Sequence, residues 1–358
     1  MSKFQKLHQE ISKGKVVLGI GPMSWNCIDA VIEVANEQKI PIKLIASRRQ
    51  VESNILGGGY VTTTETLTKY IKENDVGEYV FLARDHGGPW QGTDESNLGY
   101  EEAMRNAASS YWSDIENGFD IIHIDPSMKP RSVDEIIVDV EKLHSLCERL
   151  NKNIDKKEIL YECGTEEHSG QITDPKSFEK FVKQIKNLRG MQFAVGNMGY
   201  WVKEVENVGS LNETNAKAFV RICNDHGLYL KGHNSDYLSN QQLQQYNNLG
   251  VHSINVAPEL GICETKGLLS QLELNRKSNL TKKFVDIAVK SDKWKKWMKS
   301  DKRRVSKLYK AKICGHYIFN DPEVKSIKKE GRIDDKELKK KLKTRIIFIL
   351  SSLGWKIK

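Results

Sequence analysis

Three side chains far apart in the chain, His86, Glu162 and His233, each fall just beyond a short apolar run. Two imidazoles and one carboxylate suit Zn²⁺ with one coordination position left open, the pattern of a catalytic rather than a structural zinc site. Asp85 stands beside His86 in "VFLARDHGGPW" (80–90). A carboxylate near such an ion can move a proton while the cation stabilises negative charge on oxygen. Glu166 and Glu167 in "YECGTEEHSG" (161–170) add proton-transfer candidates, in a loop that Gly164 and Gly170 free to move. One histidine at a strand end is commonly just a hydrogen-bonding residue, so the reading rests on recurrence at three loops.

Such residues meet only if the elements before them share one mouth. Strand-like runs occur at 15–21, 41–47, 79–83, 119–125, 158–163, 191–196, 228–232 and 251–257. Helical candidates alternate with them at 27–38, 63–74, 97–117, 132–150, 175–187, 213–226, 239–248 and 259–273. Near-continuous apolar strands covered on both faces predict a parallel sheet. An open doubly wound sheet could hold these units, but the count of eight favours closure into a (β/α)8 barrel over residues 1–275. A basic helical extension, 276–358, would pack on it. In such barrels the chemistry sits on the loops after the strands. Seven of those eight exits carry Asp, Glu, His, Asn or Gly, including Asp125 and Asn197.

Small and polar residues after the last two strands (Gly232, Asn234, Ser235, Asp236, Asn255 and Ala257) suit a phosphate site, with Lys231 adding charge. Each is weak evidence alone, since such residues are common wherever a strand turns into a loop.

Composition narrows the class. No apolar run reaches the roughly 18 residues needed to cross a bilayer, and the first 14 residues lack the apolar core of a signal peptide. The expectation is a cytoplasmic protein. Six cysteines without a C-x-x-C pair argue against a thiolate zinc site or a disulfide framework. The net charge of +9 is unevenly spread: residues 276–358 hold 27 Lys and Arg against 9 Asp and Glu, leaving the first 275 residues at −9. That basic segment could be a nucleic-acid or anionic-surface footprint. The plainer expectation is a pair of amphipathic helices over 290–310 and 334–355, with Trp294, Trp297, Leu308, Ile346, Ile347 and Leu350 turned inward.

Five motifs in order, "GGGYVTTTE" (57–65), "RDHGGPW" (84–90), "IIHIDPSM" (121–128), "ECGTEEHSG" (162–170) and "KGHNSDY" (231–237), resemble the class II D-tagatose-1,6-bisphosphate aldolase subunit family of the GatZ/KbaZ type. "GHYIFNDPEV" (315–324) resembles that family's late aromatic segment. More distantly, the set is similar to class II fructose-bisphosphate aldolases, metal-dependent (β/α)8 barrels. The resemblance implies Asp85 as proton-transfer residue, His86 and His233 as metal ligands and Glu162 as an acidic group of the metal site. It also implies Zn²⁺, a phosphorylated ketose, and aldol or retro-aldol chemistry or epimerisation at C4 through an enediolate. The chain would act alone, as a homo-oligomer, or beside a catalytic aldolase subunit, since some family members are non-catalytic. One departure stands out: "NMGY" (197–200) replaces the "NVHG" that supplies a ligand histidine after strand 6 in the catalytic aldolases.

Overall fold

The computed structural model describes residues 2–154, 158–164, 174–300 and 304–358. Eight parallel strands, β1 (Val17–Ile20), β2 (Ile42–Ser47), β3 (Val80–Gly87), β4 (Ile121–Ile124), β5 (Leu160–Gly164), β6 (Met191–Val195), β7 (Tyr229–Gly232) and β8 (Ser253–Val256), close in chain order. The seam pairs β8 with β1, from Val17 opposite Ser253 to Ile20 opposite Val256. The expected (β/α)8 barrel is the fold. After α1 (Lys3–Ser12), its helices are α2 (Trp25–Gln38), α3 (Thr64–Asn74), α4 (Tyr100–Asn117), α5 (Val133–Asn153), α6 (Pro175–Ile185), α7 (Glu213–Asp225), α8 (Asn240–Leu249) and α9 (Pro258–Leu274).

The N-terminal helix was not expected from sequence. A Ser2–Gln5 capping box starts α1, and Phe4, Leu7 and Ile11 form its buried stripe. They pack on Val17, Ile45, Phe81, Ile121, Leu160 and Phe193, side chains of the barrel interior at the end where the strands begin. Burial at about 1.5–3 kcal/mol per large apolar side chain holds this plug in place.

Strand β3 also differs from expectation: it does not stop at Ala83 but runs to Gly87, with its register against β4 shifting between Arg84 and Gly87. Alternation sends Phe81, Ala83 and Asp85 to the interior and Arg84 outward. There Arg84 pairs with Asp114 of α4 at 2.5 Å and donates to the carbonyls of Ala46 and Val51. Beyond the shift, His86 has φ +46° and Gly88 φ +145°. A Cβ on Gly88 would lie 2.2 Å from the Asp125 carbonyl oxygen, so only glycine lets β3 end this close to the chain after β4.

The extension holds α10 (Ser278–Lys290), α11 (Lys307–Cys314), α12 (Pro322–Glu330) and α13 (Asp335–Ser352). Residues 290–310 are not one helix. Asp292 takes a left-handed φ of +57°, a helical turn follows at Lys295–Trp297, and Leu308 lies exposed rather than inward. Leu280, Phe284, Ala288, Ala311 and Val324 pack on Leu268 and Leu272 of α9. In α13, Leu342, Ile346, Ile349 and Leu350 join the main barrel core, and Lys343 bridges Glu33 and Glu37 of α2. Part of the basic charge thus holds the extension to an acidic barrel helix.

His316, in the turn after α11, is 1% exposed, its ring 4.2 Å from that of Tyr317 and stacked over Gly261. Neither ring nitrogen has a hydrogen-bond partner among the described residues. Burial, helped by Lys296, lowers its pKa from 6.5 to about 3. The unfolded chain therefore binds a proton that the folded ring refuses. This contribution is complete above pH 6.5 and is lost as pH falls toward 3, with a slope of at most about 1.4 kcal/mol per pH unit. Urea melts of His316→Phe should show a flatter acid limb below pH 6.5 than the wild type; identical limbs would refute this.

Candidate functional site

The barrel interior is apolar at its plugged end and charged above. Lys43 of β2, Glu162 of β5 and Lys231 of β7 are completely buried. Lys43 Nζ donates to Glu162 Oε1 at 2.8 Å, and Lys231 Nζ donates to Glu162 Oε2 and, at 3.0 Å, to Asp85 Oδ1. Burial raises the Glu162 pKa, but Lys231 and then Lys43 outweigh it and bring it to about 2. Burial lowers Lys43 to about 8 against the pull of Glu162. Asp85 is pushed up by burial, yet Lys231, His86 and His233 hold it well below the usual carboxylate range. Two lysines thus balance two carboxylates across the barrel.

Above this layer, His86, His123 and His233 converge, with ring centroids 4.9 Å apart for His86 and His233 and 5.7 Å for the other two pairs. His123 Nδ1 lies 3.4 Å and His233 Nε2 lies 3.5 Å from the same oxygen, Asp85 Oδ1. Charge-assisted hydrogen bonds are shorter, about 2.7–2.9 Å. Bonds of about 2.0–2.2 Å to one tetrahedral ion would place neighbouring ligand atoms roughly 3.3–3.6 Å apart. The donor atoms of Asp85, His123 and His233 all fall within 4.8 Å of one another. Burial, reinforced by Lys231, lowers the His123 pKa, keeping it the neutral imidazole that a metal requires. His123 Nδ1 also accepts from His86 N at 3.3 Å, and its Nε2 is buried with no hydrogen-bond partner among the described residues. These residues fit a divalent cation.

His86 is held differently. Its Nδ1 lies 2.8 Å from Asp125 Oδ2, an oxygen that also accepts from Gln91 Nε2 at 3.0 Å. An acceptor on that side makes Nδ1 the donor and leaves Nε2 the basic nitrogen, 3.9 Å from Asp85 Oδ2. The positive φ of His86 turns this ring into the mouth.

The structure thus brings together Asp85, His86, Asp125 and His233, and joins to them His123, which the sequence reading did not single out. The signal for it was available: His123 is an interior-facing position of β4 in a strand otherwise Ile-Ile-Ile. Glu162 lies a layer deeper, between two lysines. Asn197 forms its turn by accepting from Gly199 N at 2.9 Å. Glu166 lies outside the described residues. Of the residues expected to hold phosphate, Lys231 serves Asp85 and Glu162, and Asn255 Nδ2 donates to Asp85 Oδ1 at 3.3 Å. Gly232 packs where a Cβ would strike Met198, the Asn234 carbonyl accepts from Asn207 Nδ2, and Ser235 bonds Tyr246 Oη at 2.9 Å. Asp236 Oδ1 accepts from both Ala257 N and Glu259 N at 2.9 Å.

Interior carboxylate and imidazoles at the strand ends of a closed barrel coincide with a match to the class II fructose-bisphosphate aldolase family over residues 4–316. The chain belongs to that family. No individually curated protein matches it. Among solved structures it is similar to a probable tagatose 6 phosphate kinase from Sinorhizobium meliloti 1021 (18% identity, TM-score 0.72, covering 95% of this chain and 97% of that one). It is also similar to fructose-bisphosphate aldolase from Campylobacter jejuni (12%, TM-score 0.63, 99% and 95%) and to the YdjI aldolase from Escherichia coli K12 (15%, TM-score 0.55, 99% and 96%). At these identities the likeness is one of fold.

Breaking the buried charge layer should be costly, because removing one partner strands the other in an interior closed to solvent. Lys231→Met is expected to lose about 3–5 kcal/mol in denaturant melts. The double variant with Glu162→Gln should recover part of that loss, whereas strictly additive effects would show that the pair is not coupled.

Proposed function

We propose that this protein is a divalent-metal-dependent, aldolase-like enzyme that cleaves or forms a carbon–carbon bond in a ketose or related sugar, working in the cytoplasm. The observation that carries the reading is the convergence of Asp85 with three imidazoles at the strand ends of a class II aldolase barrel. Asp85, His123 and His233 would hold the ion, with zinc the natural occupant of a mixed nitrogen and oxygen set. When bound, the ion supplies Lewis-acid polarisation of a sugar carbonyl, worth several kcal/mol of charge stabilisation.

The remaining work falls to this chain's own groups. His86, oriented by Asp125 and facing the mouth through Nε2, is placed to take a proton from a substrate hydroxyl and return it. Lys231 and Asn255 fix Asp85 by donating to Oδ1. Glu162 serves as counter-ion to Lys43 and Lys231, which relieves it of the ligand role expected from the resemblance. The missing strand-6 histidine is made good by His123 from β4, so the chain keeps three imidazoles. That favours an enzyme over a non-catalytic subunit of a tagatose-bisphosphate aldolase. A phosphate on the substrate would not find the Ala257 and Glu259 amides after β8 open, since both already donate to Asp236 Oδ1.

Zinc content and ketose cleavage, measured together on three variants, test the assignment. His123→Ala and His233→Ala should lose the ion, and turnover with it by more than about 100-fold. His86→Ala should retain the ion and lose about 10²–10⁴-fold in kcat. If His86→Ala loses zinc while His123→Ala keeps it, the ligand set is instead that of the sequence resemblance. A wild-type chain without zinc or turnover that co-purifies with a second barrel would be a supporting subunit.

A further inference from the structure

The end of the barrel mouth formed by β7, β8 and the start of α9 is where a barrel of this kind offers backbone N–H groups to an anion. In this chain two of those groups, at the start of α9, are taken. Ala257 N and Glu259 N both donate to Asp236 Oδ1 at 2.9 Å, and Pro258 between them has no N–H to offer. Asp236 is 3% exposed and its own carbonyl accepts from Asn207 Nδ2, so the loop is tied down with its carboxylate in the cradle. Glu259 adds a second carboxylate at the same helix end, held by Tyr237 N at 2.7 Å and by Arg345 of α13. Lys231, the cation nearest in sequence, is fully buried under Asp85 and Glu162.

We propose that the substrate terminus seated against the β7 and β8 loops is uncharged, a hydroxymethyl or similar polar group, and that Asp236 is the residue that excludes a phosphate monoester there. This rests on the sugar-cleaving reading above and specifies its substrate class at that end. One carboxylate oxygen accepts both amides, so the cradle is filled whether or not Asp236 is protonated. A phosphate would have to displace that carboxylate from both amides at once and give up its own hydration in a nearly solvent-free site.

Inorganic phosphate is the probe, titrated at matched ionic strength into full-length, zinc-loaded protein and followed at the Ala257 amide after 15N-alanine labelling. The wild type should show no saturable shift at millimolar phosphate, Asp236→Ala should acquire one, and Asp236→Asn, which keeps the accepting oxygen, should stay blind. A saturating shift in the wild type, or a folded Asp236→Ala as blind as the wild type, overturns the proposal. Should Asp236→Ala fail to fold, the wild type decides alone. A neutral ketose should then exceed its terminal phosphate in kcat/KM by at least about tenfold, and the reverse order overturns the proposal. Failure of every ketose to be cleaved would sink the aldolase reading while leaving the phosphate titration to judge this one.

Discussion

The site stands on a layer of charge buried inside the barrel. Lys43, Glu162, Lys231 and Asp85 come from four strands, and three of them have no contact with solvent. Taking such ions out of water costs several kcal/mol each, and only close mutual pairing offsets it. The pairing therefore fixes geometry more than it adds stability. With Lys231 Nζ shared between Glu162 and Asp85, the Asp85 carboxylate can sit in few places, and its Oδ1 is turned toward His123 and His233. The same commitment removes Lys231 from any role as an anion receptor. One side chain thus decides where the acid points.

Above that layer the backbone itself is bent to purpose. Strand alternation alone would point Asp85 and His86 to opposite faces. The register shift after Arg84 and the left-handed φ of His86 bring both to the mouth, at the cost of a conformation that a side chain rarely adopts. Gly87 and Gly88 complete the arrangement by letting β3 end against the chain after β4, where Asp125 waits for the His86 ring. The "DHGG" sequence is thus one device: an acid, an imidazole, and two residues small enough for the partner strand to approach.

The fold was legible because each strand is a short apolar run followed by a helix of clear period, and all eight strands and the eight helices that follow them appear close to their expected places. What the sequence hid follows from physics that spacing does not record. Helix α1 is short and charged, and its stripe of Phe4, Leu7 and Ile11 gains meaning only once a barrel end exists to receive it. The roles of Glu162 and Lys231 depend on which residues face each other across the interior, a relation set by register. Asp236 looked like one more polar loop residue; only the folded loop shows its carboxylate on the amides of Ala257 and Glu259 at the start of α9. His123 was readable in principle, as a lone imidazole among isoleucines, but its worth depends on His86 and His233 arriving beside it.

The charge asymmetry of the sequence has a structural use that bears on the same mouth. The basic extension meets the acidic barrel at α2, where Lys339 and Lys343 reach Glu33, and at α9, where Arg345 reaches Glu259. It also ties to the loops that frame the site. Asn320 donates to the Tyr60 carbonyl in the connection after β2, and Tyr309 donates to Glu204 in the connection after β6. Trp355 then donates to the Val16 carbonyl at the foot of β1, so the last helix is anchored at the opposite end as well. An extension fastened at these points restrains the loops around the mouth against one another. Its positive charge serves that fastening, which leaves less reason to look for a nucleic acid as its partner.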